Sequence, residues 1–411
     1  MILDSIVSQH AEEAAFLWLL RDDAVTAPHF TLTDLADLES RIEAHLDGLR
    51  VAGEAGWEHC LEQLKLSETG EVFTAGFMAL DSSLDEGLER VLEVIEEAPA
   101  TARGLVSALG WVDKDKLQGH VVGWLQSEVP LLRRIGLSAC AIQRVDCGAY
   151  LTRGVDDTDS GVRARALRSI GEIHRGDLGR SLREHLEDED EACRFWSAWS
   201  AAMLDDVVGT ERLLSFAEEN SPFQQPALEL LMRKLEKSAS VECLRGLSNS
   251  QPSSRAVVQA SGYFGDPASV PWLIEKMKTA ELSRVAGEAF RQITGIDLAY
   301  HDLDAEPPEG FSAGPTENPQ DEEVDMDRDE ELSWPDSAAI AAWWGEHQSG
   351  YPTGERLLCG APVDRNQCMR ILRSGFQRQR RAAAMELALI DANGPLFNTS
   401  AIAKLQTTLI G

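Results

Sequence analysis

The chain has 411 residues, with 38 Lys and Arg against 69 Asp and Glu, a formal net charge of −31 and 43% hydrophobic residues. That apolar content excludes wholesale disorder, no run approaches the ~20 apolar residues of a membrane span, and Met1-Ile2-Leu3-Asp4 lacks the basic start of an export signal. A soluble cytoplasmic protein with no membrane role is expected, and the sign of the charge argues against binding nucleic-acid phosphates as a main task.

The acid is concentrated in two regions. Residues 1–100 hold 5 basic and 22 acidic side chains and residues 302–336 hold 1 and 14, while the remainder, with 32 and 33, is almost neutral. Such regions either keep a large chain soluble or aim a field at a basic partner.

In chain order, a first helix is predicted from Ile6 to Leu20, carrying Phe16, Leu17 and Leu20 towards a core. Pro28-His29 breaks the chain. Leu32, Leu35, Leu38, Ile42, Leu46 and Leu49 then step by three or four into one apolar stripe, with Asp34, Asp37, Glu39, Glu43 and Asp47 elsewhere on that helix. Leu84, Leu88, Val91, Leu92 and Ile95 mark a further helix ending near Pro99. Residues 1–100 therefore form an acidic helical region. Its acids Asp22, Asp23, Asp34, Asp37, Glu39 and Glu43 are the first candidates for contact with a partner.

From 101 to 301 a repeat takes over. Val162-Arg163 with Ala166, Leu167 and Ile170 is matched thirty positions earlier by Leu132-Arg133 with Gly136, Leu137 and Cys140, and thirty-one later by Cys193-Arg194 with Ser197, Ala198 and Ala201. About 30 residues accommodate two short helices and two turns but cannot bury their own apolar face, so neighbouring units must stack. Trp196 and Trp199, three apart in this region, read chiefly as core residues, with one of them available as an aromatic anchor on a binding face.

Residues 302–336 contain Pro307, Pro308, Pro315, Pro319 and Pro335, which rule out a regular helix. Phe311, Met326, Leu332 and Trp334 are too apolar for a free linker and predict a docked strap. Helix resumes in the C-terminal region 337–411, where Arg365, Arg370, Arg373, Arg378, Arg380 and Arg381 suggest an electrostatic clasp with the acidic strap.

Little here carries chemistry. The seven cysteines include no C-x-x-C pair and read as small, reduced, mostly buried thiols. Asp325-x-Asp327-x-Asp329 resembles the opening of a calcium loop, but Glu330 stands where glycine is required. The histidines show no metal-ligand spacing, and neither a nucleophile motif nor a phosphate loop is present. No enzyme activity, metal or cofactor is expected.

Two stretches carry a resemblance. Gly265-Asp266-Pro267-Ala268-Ser269-Val270-Pro271-Trp272-Leu273-Ile274-Glu275, with Ser283-Arg284-Val285-Ala286-Gly287-Glu288-Ala289-Phe290-Arg291, resembles HEAT-type repeats of the PBS-lyase subgroup. The implied fold is an all-α, HEAT-like α-solenoid of stacked antiparallel helix pairs. Ala14-Ala15-Phe16-Leu17-Trp18, Glu43-Ala44-His45-Leu46-Asp47-Gly48-Leu49, Trp334-Pro335-Asp336 and Gln377-Arg378-Gln379-Arg380-Arg381 are similar to a proteobacterial HEAT-like family found beside type VI secretion genes. That resemblance implies an immunity protein that silences a co-encoded toxin by stoichiometric occlusion, the acidic charge favouring a basic nuclease as partner. Its alternative is an adaptor that loads an effector onto the secretion spike.

Overall fold

A computed structural model describes residues 4–250, 255–314, 325–391 and 394–411. The fold is all-helical, with one two-residue hairpin as its only regular sheet among the described residues. It divides into two compact units, Met1–Thr210 with Ala392–Gly411, and Glu211–Asp391.

The first unit contains α1 (Asp4–Ala24), α2 (Leu32–Ala52), α3 (Glu54–Leu64), α4 (Thr69–Asp81), α5 (Asp85–Glu97), α6 (Ala102–Trp111), α7 (Lys114–Leu125), α8 (Pro130–Ile142), α9 (Ala149–Gly154), α10 (Ser160–Glu172), α11 (Gly179–Glu184) and α12 (Glu191–Met203). The chain passes from one unit to the other within α13 (Val207–Glu218). The second unit holds α14 (Gln224–Lys234), α15 (Lys237–Ser250), α16 (Arg255–Phe264), α17 (Val270–Lys276), α18 (Ala280–Thr294), α19 (Ser337–His347), strands β1 (Leu357–Leu358) and β2 (Ala361–Pro362), α20 (Arg365–Ser374) and α21 (Gln377–Ile390). The last helix, α22 (Ala403–Ile410), belongs to the first unit.

In each unit alternate helices pack in series. α4 lies on α6, α6 on α8, α8 on α10 and α10 on α12, while α7, α9 and α11 each accompany the helix that follows them. In the second unit α14 packs on α16 and α16 on α18, with α15 and α17 alongside. The apolar positions of the repeat, Leu137, Val162, Ala166, Leu167, Ile170, Cys193 and Ala201, form one buried cluster with Leu151 and Leu182.

The recurring arginine has a physical reason. Arg163 donates Nε and Nη2 to the Asp188 carboxylate at 3.1 and 2.9 Å, and its Nη1 reaches back to the Asp157 and Thr158 carbonyls. Arg133 does the same one unit earlier, to Asp157 at 2.7 and 2.7 Å and back to the Ser127 and Glu128 carbonyls. Two residues after each of these aspartates a second one caps a helix: Asp159 accepts from the Val162 N–H and Asp190 from the Cys193 N–H, both at 2.9 Å. One Asp therefore ties neighbouring units and the next starts the helix, which is worth about 1 kcal/mol as a cap.

Burial pushes the Asp188 carboxyl up, but Arg163, the Asp190 N–H and His185 outweigh it and hold it at about 2. Asp188→Ala should cost about 2 kcal/mol in urea unfolding, since a charge-assisted fork and a turn hydrogen bond both go. Arg163→Ala added to it should cost much less than its own single loss. Additive losses would show that the two residues do not act as a pair.

The described residues of the strap dock on the second unit. Ala305 N–H donates to the Trp334 carbonyl and Asp336 N–H to that of Leu303, and Leu332 and Pro335 are buried. Arg284 stacks on Trp334 at 4.6 Å and pairs with Asp327 at 2.7 Å, and Arg255 holds Asp329. These two aspartates meet arginines of α16 and α18; the strap acids Glu317, Asp321, Glu322 and Glu323, which the expected clasp also includes, lie outside the described residues. Met326, expected to anchor the strap, is 70% exposed. Residues 315–324, which include Pro315 and Pro319, lie outside the described residues.

Two glycines admit the β-hairpin. Gly265 and Gly295 have φ of +77° and +74°, and a Cβ on either would collide with the backbone of Leu357 or Cys359. Leu357 N–H donates to the Gly265 carbonyl and Cys359 N–H to that of Gln292, so β1 closes on these helix ends.

Candidate interaction surface

The structure separates the acids that sequence grouped together. Asp23, Asp34, Asp37 and Glu43 are exposed. Asp34 caps α2, accepting from the Thr31 N–H at 2.9 Å, which lowers its pKa; it is fixed to the helix start. Asp22 and Glu39 require correction as contact residues. Asp22 is largely enclosed and paired with Arg103, and burial raises its pKa against that arginine.

Glu39 is buried. Its carboxylate pairs with Arg21 Nε at 3.0 Å and accepts the Ala403 N–H at 2.6 Å. Arg21 Nη2 in turn donates to the Ser400 and Ala401 carbonyls at 2.7 and 3.1 Å. This acid holds the C-terminal segment in place and faces no partner. Burial pushes its carboxyl up more strongly than Arg21 pulls it down.

The exposed acids have few internal partners. Among the described residues no ion pair takes the carboxylates of Asp37, Glu43, Glu54 or Glu58, nor those of Glu86, Glu89, Glu96 and Glu97 on or beside α5. Their field is directed into solvent, where the Debye length of about 8 Å at physiological salt limits its reach.

Apolar anchors come from an unexpected place. Phe16 and Leu20, predicted to face a core, are 56% and 42% exposed, while Leu17 and Trp18 of the same helix are fully buried. Trp18 stacks on Phe73 at 5.2 Å and donates to Ser107 Oγ at 3.0 Å. The outward stripe is Glu12, Phe16, Leu20 and Asp23, because residues three and four apart share a helix face. It places two large apolar side chains between two exposed carboxylates.

Of the tryptophans, Trp199 is buried and so is no surface anchor. Trp196 is half-buried, with the Arg168 guanidinium 4.4 Å from its ring centroid. In the second unit Trp343 is the more exposed of its pair and lies flat on His347 at 4.5 Å.

A groove of about 300 Å³ on the first unit is lined by Glu96, Pro99, Pro130, Leu131, Arg134 and Asp159. Two carboxylates and one guanidinium give it no single preferred ligand charge. Among the described residues no group of three or more His, Cys, Asp or Glu is placed to hold a metal ion, and no helix is long and apolar enough to cross a membrane.

Compared with known proteins, the chain matches no family model, and none of the curated proteins shows significant similarity to it.

Proposed function

We propose that the chain is a HEAT-like α-solenoid that binds a basic protein through its acidic N-terminal region. Within that class it is an immunity protein that neutralises a co-encoded type VI secretion toxin in the cytoplasm. The observation that carries the reading is the α1 stripe, with Phe16 and Leu20 exposed between Glu12 and Asp23 in a region of largely unpaired carboxylates. Interfaces of useful affinity rest on a few large apolar anchors, and the surrounding charge sets association rate and partner choice. A basic toxin supplies the complementary field, and occlusion needs only a stable interface of about 1,000 Å² or more.

The test is made in the bacterium that produces the neighbouring effector. Deletion of this protein should leave cells open to poisoning by their sisters, and expression of the chain inside the cell should restore growth. Phe16→Ala is expected to weaken toxin binding at least about tenfold. Asp23→Lys with Asp37→Lys and Glu43→Lys should slow association about tenfold and flatten its salt dependence, with helical content unchanged. Asp34 is left intact because it caps α2. Healthy deletion cells that no longer deliver effector into prey would replace immunity with the adaptor role.

A further inference from the structure

The recurring arginine of the first unit closes on a carboxylate at Arg133 and Arg163 but not at Arg194. Arg194 repeats their grip on the preceding turn: its Nη1 donates to the Asp188 and Glu189 carbonyls at 2.8 and 2.9 Å, six and five positions back, as theirs do. A planar guanidinium held by Nη1 presents Nε and Nη2 together on its opposite edge. At Arg133 and Arg163 that edge meets Asp157 and Asp188. At Arg194, which is half-buried, it meets no carboxylate among the described residues.

The carboxylates that do close these forks share one form. Asp157-Thr158-Asp159 and Asp188-Glu189-Asp190 are Asp-x-Asp turns in which the first carboxylate accepts the N–H of the second aspartate, at 3.0 and 2.9 Å. That bond ties the first carboxylate to its own backbone, so the fork meets an ordered acceptor. Asp327-Arg328-Asp329 of the strap makes the same turn, the Asp329 N–H donating to Asp327 Oδ1 at 3.0 Å, and its two aspartates take Arg284 and Arg255 near the starts of α18 and α16. The strap is not part of the repeat, so a segment from outside the stacked helices can supply this turn.

We propose that Arg194 is a recognition point for an Asp-x-Asp turn of a partner protein. The first aspartate of that turn forms a two-bond fork with Nε and Nη2, as Asp157 does with Arg133. The two carbonyl bonds fix the guanidinium beforehand, so little side-chain freedom is lost when the turn arrives, and partial burial strengthens the pair. A lysine here offers a point charge and no fork, which makes the geometry specific to arginine. Arg194 stands on α12, far in sequence from α1, and takes this turn whatever the α1 stripe binds.

The probe is the acetylated and amidated peptide of residues 155–161, Val-Asp-Asp-Thr-Asp-Ser-Gly, with a control peptide carrying Asp157→Asn and Asp159→Asn. One charge-assisted fork predicts half-saturation on the order of 10 mM. Saturation-transfer NMR on the full chain should show the probe bound and the control not, and the signal should vanish in Arg194→Lys, which keeps the charge and removes the fork. Phenylglyoxal should modify wild-type Arg194 about tenfold faster than Arg133 or Arg163, whose forks are closed. The probe at about 10 mM should halve the rate at Arg194 and leave the exposed Arg180 unchanged. If Arg194→Lys misfolds, the wild-type modification map decides alone. A probe signal that survives Arg194→Lys, equal binding of the control, equal protection of Arg180, or an Arg194 as resistant as Arg163 would overturn the assignment.

Discussion

Arg21→Ala should destabilise the first unit by about 3–5 kcal/mol, as expected when one partner of a buried ion pair is removed. The guanidinium serves three acceptors, the Glu39 carboxylate and the carbonyls of Ser400 and Ala401, and its loss leaves the buried Glu39 charge without a counter-charge while the Ala401 carbonyl keeps only the Gln406 amide. Glu39 then stays buried with only the Ala403 N–H, so the variant should be least stable where Glu39 is ionised and recover partly as pH falls. Arg21→Met with Glu39→Met should regain the share owed to the stranded charge, because an apolar pair of similar volume carries no desolvation cost. Urea unfolding measures the loss, and proteolysis within residues 394–411 reports the release of the segment that Arg21 holds. A variant as stable as wild type, with that segment still protected, would show that the pair is structurally idle.

Glu172 is the second place where one substitution should have a large effect, and here pH reveals it. Burial pushes its carboxyl up, but Arg165, Arg168 and Arg144 together outweigh burial and hold it at about 2, against an ordinary 4.5. Arg165 Nη2 meets Oε2, Arg168 Nε lies 2.9 Å from Oε1 and Arg144 Nη1 is 3.8 Å away. A folded value below the unfolded one means that the stabilisation is complete above about pH 5 and fades as pH falls towards 2, because the unfolded chain takes up the proton first. The shift corresponds to about 3 kcal/mol. Glu172→Gln should lose about that much at pH 7 and little at pH 2, so its acid unfolding limb should be flatter than that of wild type. Parallel limbs would assign the acid sensitivity to other carboxylates. The contrast with Glu39 shows which effect wins: one guanidinium does not offset burial there, and three do here.

Much of this architecture lay open in the sequence, because it is local. Arg133 and Arg163 find their acceptors between 5 and 25 positions away, so a thirty-residue period suffices to betray the ladder before its geometry is known. The stripe of α2 was legible for the same reason: Leu32, Leu35, Leu38, Ile42, Leu46 and Leu49 are all buried. Glu39 was legible too, had its angle been weighed above its charge, since it stands four positions after Leu35 and three before Ile42, inside the buried arc.

α1 defeated the same reasoning. Its inner face is made of Val7, Ala11, Ala14, Ala15, Leu17, Trp18 and Arg21, where small residues admit close neighbours, so hydropathy favoured the larger Phe16 and Leu20 that in fact face solvent. His10 and His45, dispersed in the sequence, meet at 3.1 Å between their Nδ1 atoms, and desolvation with the neighbouring ring lowers the His45 pKa.

The sequence by itself therefore determined the helical class, the period of the units and the places where acid gathers, since each is a property of residues within two turns or one repeat of each other. Only the tertiary structure decided which acids are free. Asp22 and Glu39 are consumed by Arg103 and Arg21, Asp327 and Asp329 by Arg284 and Arg255, and residues 400–403 close on helices formed almost four hundred positions earlier. A charge pattern records how much acid a region holds. Whether a given carboxylate faces water or a buried guanidinium depends on which distant segment packs over it, and no local pattern carries that information.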